Sequence, residues 1–521
     1  MIDKETKIMF YPTPKQMKTI EENSDKNGVS YRDLLINAGG ALTMLIYKIS
    51  EDRDISSGVV FICGNGNNGG DGLISAKELA ENGIPVTVVL ACGDPATELS
   101  AQAYCELSDV SKADVLNLND NIDKVFERFK TASVIVDAVF GTGFHGFLPP
   151  QIKACFSYAQ RCEAVIIAAD VPSGGDSLNG TVSEGTIKCT YTVTFGYTKI
   201  GMLSNPLAEY CGEIIVADIG FSDKCCENVE YLPTRFGSKY AMQVLPKRDK
   251  FSQKGDFGKL LNIAGSAKFS GAAALSTEAA LRSGAGLVTL AASERVITRI
   301  APLISEATYL PIAEDKDGSY AESSAAAVAK ECEGKSAVAI GCGLTVTNGT
   351  KAIVKKVIKE AACPIILDAD GINCIADNIN IFKDAKNKLI ITPHAGELAR
   401  LTGVPVEEAV SDRLTLAVNL AREYGIIVVA KGVPTIVAGC GKAYVIKAGN
   451  PGLARGGSGD VLTGIIAAFC AQGFDPVEAA AAAVYVHGSA ADLAADKLSE
   501  TGMLPSDVIK KLHFVFRNWN R

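Results

Sequence analysis

Histidine and tryptophan are scarce, four and one among 521 residues. The histidines, at 145, 394, 487 and 513, are too dispersed for zinc, which takes Cys and His at short spacings. No CxxC pair occurs among the fifteen cysteines. Many of them, such as Cys63, Cys342 and Cys363, sit in apolar runs, which suits buried thiols in a reducing cytoplasm better than a disulfide framework. A long basic run is also missing: KRDK at 247–250 is too short to be a nucleic-acid footprint, and the formal net charge is −8. No uncharged apolar stretch is long enough to span a bilayer, because the Ala-rich region 479–495 is interrupted by His487 and Asp492 and reads as a packed helix. The first twenty residues lack the apolar stretch of a secretory signal. The expectation is a cytoplasmic protein with neither membrane nor nucleic acid as partner.

What is present is ample core-forming sequence. A chain of 521 residues, 47% hydrophobic and 21% charged, exceeds what one core usually organises, so two domains are expected. Between about 58 and 220, apolar runs such as GVVFICG, ASVIVDAVF and AVIIAADVP alternate with helical patterns. Their continuous hydrophobicity predicts strands covered on both faces, hence a mostly parallel sheet between helices. The first fifty residues read as helices packed on this layer. The rhythm lapses after 222 and restarts after Lys254 with GKLLNIAGS, LVTLAA and CPIILDADG. The expected fold class is therefore α/β twice over: one domain over 1–222, a linker over 223–245, and a second domain over 246–521.

GNGNNGGDG at 64–72 follows a strand and precedes a helix. In that context glycines let the main chain approach an anion, and free N–H groups at the helix start supply donors. A tight turn without a ligand would also use glycine, but Asn67, Asn68 and Asp71 add polar side chains that a turn does not need. Two later strands end in polar loops: VDAVFGTGFHGF carries Asp137, and AADVPSGG carries Asp170 and Ser173. Strand ends of an open parallel sheet converge on one crevice. An amide, a carboxylate and a hydroxyl from Asn68, Asp137 and Ser173 form an all-oxygen set suited to a hard cation. Asp137 and Asp170 could equally cap the turns that follow them.

These three motifs, in this order, resemble the NAD(P)H-hydrate epimerase family over roughly residues 10–220, which implies a Rossmann-like three-layer fold. The resemblance further implies hydrated-nucleotide binding by Asn67, Asn68, Gly69, Gly70 and Asp71, by Gly141, Thr142, Gly143, Phe144, His145, Gly146 and Phe147, and by Asp170. It implies potassium held through Asn68, Asp137 and Ser173, and Asp170 as the acid/base that interconverts R and S forms at the hydrated ring carbon. One departure is Ile36 in LLINAG, where the family pattern leads one to expect an acid.

In the second half, NPGLARGGSGDVLTGIIAAF at 450–469 leads glycines into an apolar helix with Asp460 in its first turn. Backbone N–H groups from Gly457 to Gly459 would face a phosphoryl group, and Asp460 would accept a proton from the attacking hydroxyl. A helix cap with glycine turns is the plainer alternative. The loop resembles that of ribokinase-like enzymes. With FSGAAALSTEAALRSGAGLV, IGCGL, LDADG, TPHAGE and KGVPT, the whole of 240–521 resembles their nicotinamide-hydrate dehydratase branch. That implies contacts from Ala272, Gly343, His394 and Asp460 to the hydrated nucleotide. Lys431, Gly432, Val433, Pro434, Thr435 and Gly459 would hold ADP or ATP, with Mg2+. Cys342 stands where proline is more usual, and Arg455 replaces a smaller residue. His394 alone would more often be structural. Asp368 and Asp370 read as turn residues or outer-sphere magnesium contacts.

Hydroxide leaves poorly near neutral pH, so phosphorylating it first explains a dehydratase that consumes a nucleotide. Together the halves are expected to repair hydrated NADH and NADPH as a homo-oligomer, with AMP and phosphate as by-products when ADP is used. The competing expectation is a ribokinase-superfamily small-molecule kinase with a non-catalytic N-terminal ligand-binding module.

Overall fold

The computed structural model describes residues 9–110, 113–244 and 248–519. The first eight residues, which enter the expectation of no secretory signal, lie outside the described residues, as do Lys247 of the basic run and the last residue of the expected linker. The chain divides into two compact units between Pro233 and Thr234.

In the first unit, β1 (Val59–Cys63), β2 (Val86–Leu90), β3 (Ala113–Asn117), β4 (Val134–Ala138), β5 (Val165–Ala169), β6 (Tyr191–Phe195) and β7 (Glu213–Ala217) form one sheet. Its order is β3-β2-β1-β4-β5-β6-β7, and every pairing is parallel. All five residues of β1 are buried, as a sheet covered on both faces requires. Val59, Phe61 and Cys63 join one core with Ile20, Leu42 and Leu73, while Val60 and Ile62 join another with Phe129 and Phe156. The result is the three-layer Rossmann-like arrangement. The helices Pro14–Lys26 and Tyr31–Ser50 pack on the first face, each opened by a capping box, Thr13 with Gln16 and Ser30 with Asp33. Strand order reverses between β1 and β4, so the crevice at their carboxyl ends is where such a sheet takes a ligand.

Residues 223–244 hold a 3-10 turn (Asp223–Cys226), a three-residue strand β8 (Pro233–Arg235) and a helix (Ser238–Val244). Elements this short show no apolar periodicity, which is why the sequence rhythm lapses there.

The second sheet contains β9 (Lys259–Ile263), β10 (Leu287–Ala292), β11 (Thr308–Pro311), β12 (Ala337–Ile340), β13 (Ile365–Leu367), β14 (Leu389–Ile391), β15 (Ile427–Ala430), β16 (Thr435–Gly439) and β17 (Lys442–Ile446). They run in the order β11-β10-β9-β12-β13-β14-β15-β16-β17-β8. Pairing is parallel from β11 to β15, then antiparallel through β16 and β17. The β16–β17 turn is two residues, Cys440 and Gly441, both at positive φ, the geometry that matches strand twist in a tight hairpin. The helices Ser270–Arg282, Ser458–Ala471 and Pro476–Gly502 share one core with this sheet, and Ala479 to Ala483 are fully buried in it. Among the described residues no helix is long and apolar enough to cross a membrane. No disulfide joins any of the fifteen cysteines.

Candidate active sites

At the carboxyl end of β1 the chain turns directly into the helix Asn67–Glu81. Its cap is Gly66, with no side chain closing the helix start, so the first-turn N–H groups remain available to an anion. Gly69 and Gly70 serve packing: a Cβ on Gly69 would meet the Gly64 carbonyl at 1.9 Å, and one on Gly70 would press Leu35 at 3.0 Å. Asn67, Asn68, Asp71, Gly141, Thr142, Gly143, Phe144 and Asp170 line one cavity of about 360 Å³. His145, Gly146 and Phe147 are not in that lining. The His145 ring lies 3.1 Å from Asp176 Oδ2, and Phe147 is 86% exposed.

Gly141 brings two of these walls together. A Cβ there would stand 2.9 Å from Asn68 Oδ1 and 3.3 Å from Asp170 Oδ2. Asp170, directly after β5, adopts φ +69°, a conformation that costs a non-glycine residue and has to be held by its surroundings. The hold is visible: Asp170 Oδ1 accepts from Lys199, from Phe195 N at 3.2 Å and from Thr194 Oγ1 at 3.3 Å. Lys199, 1% exposed, gives its remaining protons to Thr194 Oγ1 and the Phe195 carbonyl, both at 3.0 Å. One carboxylate oxygen is thus clamped, while Oδ2 faces Gly141. Sequence reasoning missed Lys199. Its signal was a lysine in the loop after β6, on the same strand-end edge as the other three loops.

Asp137 and Ser173 are in direct contact. Asp137, fully buried, accepts from Ser173 N at 2.7 Å and Ser173 Oγ at 2.6 Å. Burial pushes its carboxyl up to about 6, although those hydrogen bonds pull the other way. Ser173 Oγ also accepts from Phe140 N at 2.8 Å, one residue before the Gly141 that abuts Asn68. The buried Asn68 Nδ2 has no hydrogen-bond partner among the described residues. Ile36 is 43% exposed, whereas Leu34, Leu35 and Ala38 of the same helix line the cavity. The departure at Ile36 therefore falls on the face turned away from the cavity.

In the second unit, the helix Ser458–Ala471 is capped by Gly457 at φ +103°, again with no side chain over its first N–H groups. Asp460 sits in its first turn. Burial, then the charge of Asp368, pushes the Asp460 carboxyl up to about 6. Asp368, Asp460 and Cys342 place ligand atoms within 4.8 Å of one another. Asp368 is not free to act as a turn residue or an outer-sphere contact alone: its Oδ1 accepts from Lys431 Nζ at 3.0 Å. Burial alone would raise its carboxyl, but Lys431, Thr392 and Thr463 outweigh burial and hold it below the ordinary range. Asp370 opens the short helix Asp370–Asn373, its Oδ2 accepting from Thr345 N at 2.8 Å.

Gly343 and Ala272 abut: a Cβ on Gly343 would lie 2.8 Å from that of Ala272. His394 caps the helix Ala395–Thr402, its Nδ1 accepting from Gly396 N at 3.0 Å, and its side chain is 61% exposed. Lys431 faces Gly459, whereas Val433 is 83% exposed and its carbonyl is held by Arg413 at 2.7 Å. Gly432 lies against the same guanidinium, and Thr435 Oγ1 donates to the Gly432 carbonyl at 2.9 Å. Pro434 completes this loop into β16. Arg455 turns to the Thr501 carbonyl at 2.8 Å, and Cys342 Sγ lies 3.7 Å from Asp368 Oδ2.

Comparisons with known proteins match this division. The family model described as NAD(P)H-hydrate dehydratase matches residues 260–513, and that of the YjeF-related protein N-terminus matches residues 32–201. The bifunctional NAD(P)H-hydrate repair enzyme of Moorella thermoacetica is 32% identical over 93% of this chain and 92% of its own length. That of Escherichia coli K12 is 34% identical over 94% and 90%, and that of Coxiella burnetii 33% over 96% and 97%. The crystal structure of the ADP/ATP-dependent NAD(P)H-hydrate dehydratase from Bacillus subtilis, co-crystallised with ATP/Mg2+, is 34% identical. It covers 56% of this chain and 99% of its own, with a TM-score of 0.46. With relatives of this identity matched along nearly their whole length, the chain belongs to the bifunctional NAD(P)H-hydrate repair enzymes.

Proposed function

We propose that the Met9–Pro233 unit interconverts the R and S forms of hydrated NADH and NADPH, and that the Thr234–Arg521 unit dehydrates the S form with consumption of ADP or ATP. The observation that carries this is the recurrence of one device in both units: an uncapped helix start beside an aspartate, at Asn67–Asn68 with Asp170 and at Ser458–Gly459 with Asp460. In each, backbone N–H groups suit phosphate, and the carboxylate suits a proton in transit.

In the second unit the hydrate's hydroxyl gives its proton to Asp460 as its oxygen takes the terminal phosphoryl group. The N–H groups at the start of the helix Ser458–Ala471 stabilise the charge growing on that group. Phosphate then leaves the ring carbon, driven by the ring nitrogen's lone pair; the iminium so formed loses a proton from the neighbouring ring carbon to restore the reduced ring, and with ADP the other product is AMP. Lys431, beside Gly459, is the cation for the nucleotide's phosphates, in keeping with nucleotide binding across 431–435. Ala272, Gly343 and His394 would border the hydrate. Mg2+ would add charge neutralisation on those phosphates and would arrive largely on them, because Asp368 is already paired and a thiol is a poor magnesium ligand.

In the first unit the residues fit potassium. Asp137 is a buried carboxylate with no lysine or arginine paired to it among the described residues, and Asn68 turns its Oδ1, the oxygen a cation would use, towards Gly141 in the loop after β4. Asn68, Asp137 and Ser173 would hold the ion, whose role is to balance that charge and fix the loop after β4. The reading also includes a cytoplasmic homo-oligomer.

The test supplies each purified hydrate isomer with ADP, ATP or neither. S hydrate should regain the reduced-nicotinamide absorbance and release phosphate only with adenine nucleotide, and R hydrate should equilibrate with S without it. A stable phosphorylated product instead would mark a kinase and refute the proposal.

A further inference from the structure

Asp170 does not stand alone in its cavity. Glu21, from the helix Pro14–Lys26, lines the same space with Asp71 and Lys199. That helix is fixed by its capping box and by Met17 and Ile20, both in the core, so Glu21 is presented at a defined place. Asp170 has Lys199 and two further donors on one oxygen, but no hydrogen bond or ion pair ties the Glu21 carboxyl to any described residue. The charged and titratable groups facing it are Asp170, Lys199, Glu22, Lys18 and Tyr31, with Asp71 in the same cavity. Burial comes first and repulsion by Asp170 second. Together with Glu22 they outweigh Lys199 and Lys18 and push Glu21 up to about 7.

Inverting a carbon that carries a hydroxyl and a ring nitrogen makes two demands. The C–O bond breaks as the nitrogen lone pair forms C=N, and the oxygen leaves as water once it has taken a proton. Water then adds to the other face and gives a proton up, so atoms, charge and oxidation state are unchanged overall. One carboxyl would have to serve both faces, whereas two, one protonated and one ionised, serve one each.

We propose that Glu21 is the second catalytic residue of this cavity, giving its proton to the departing hydroxyl of one isomer while Asp170 takes the proton of the water entering on the other face. In the reverse direction the two exchange roles. This rests on the reading of the first unit as an epimerase.

The test follows R-to-S conversion by the full chain without adenine nucleotide, across pH 5 to 9. Glu21→Gln should lower kcat about 100-fold or more with KM within about twofold, and should abolish the wild-type change in rate near pH 7. Glu21→Asp, which keeps the carboxyl but shortens its reach, should recover part of the rate and the pH dependence. A Glu21→Gln chain at wild-type rate overturns the assignment, as does one with raised KM and an intact pH profile, which would mark a binding role. If Glu21→Gln cannot be purified folded, a Glu21→Asp chain with full rate and no pH change overturns it. A wild-type chain that leaves R hydrate untouched overturns the epimerase reading itself, and this with it, before any variant is made.

Discussion

Lys431 Nζ lies 3.0 Å from Asp368 Oδ1, and the α-carbon of Gly459 looks onto both. A Cβ at 459 would stand 3.5 Å from the ammonium and 3.7 Å from Asp368 Oδ2. The pair therefore lies directly against the helix start that carries Asp460. Asp368 raises the Asp460 carboxyl by its charge, and Lys431 keeps Asp368 charged.

Breaking this pair from one side leaves a buried charge without compensation, which typically costs about 3–5 kcal/mol. Lys431→Met should destabilise the chain by an amount near the lower end, read by urea unfolding, because the lysine is 23% exposed. It should also abolish dehydration. Adding Asp368→Asn should regain most of the stability and none of the activity. Lys431→Arg should not restore the rate, since a planar fork does not replace a compact ammonium.

Asp460 accepts a proton only when ionised. With its carboxyl pushed up to about 6, the dehydration rate should fall as pH drops through that value and level off above it. Stability runs the opposite way. The folded-state value lies above the ordinary 3.8, so this group's stabilising contribution is present at low pH and lost as pH rises through about 6. Asp460→Asn should lower the dehydration rate about 10²–10⁴-fold while R/S interconversion continues.

Potassium should stabilise the first unit. An ion binding the folded state at ten times its Kd adds about 1.4 kcal/mol. The melting temperature should rise in KCl over tetramethylammonium chloride at equal ionic strength. Ser173→Ala removes the hydroxyl held 2.6 Å from Asp137 and should remove the difference. An equal response in both salts would count against the ion.

The strands were legible because burial on both faces writes continuous apolar runs such as VVFIC, and the glycine loops because close main-chain approach excludes side chains. Asp170 and Asp460 could be picked out by their place after a strand or at a helix start. Their partners could not. Lys199 is 29 residues from Asp170 and Lys431 is 63 from Asp368, so each pairing exists only once the sheet gathers its strand ends on one edge. Glu21 precedes the sheet altogether: the spacing of Met17 and Ile20 sets it beside the apolar face of PKQMKTIEENSDK, but nothing in the sequence brings that face to Asp170. The short elements of 223–244 carried too few residues to show a period.

Gly141 admits no side chain without cost. A Cβ there comes within 2.9 Å of Asn68 Oδ1, forcing the amide away from the loop and pushing towards Asp170. Gly141→Ala should therefore raise KM and lower kcat for R/S interconversion, with dehydration of S hydrate unchanged. Overpacking of this kind costs about 1–3 kcal/mol, so the chain should still fold.

Ile36 tests the opposite expectation. A family pattern with an acid at this position suggests a missing catalytic group, but position 36 is 43% exposed, on the helix face away from the cavity lined by Leu34, Leu35 and Ala38. An acid there would point to solvent, where its charge is screened, and not into the cavity that holds Asp170. Ile36→Glu should leave R/S interconversion within about twofold of wild type and change stability by no more than about 0.5 kcal/mol, as exposed substitutions generally do. A large gain in rate would mean that the helix turns this position inward when the hydrate binds.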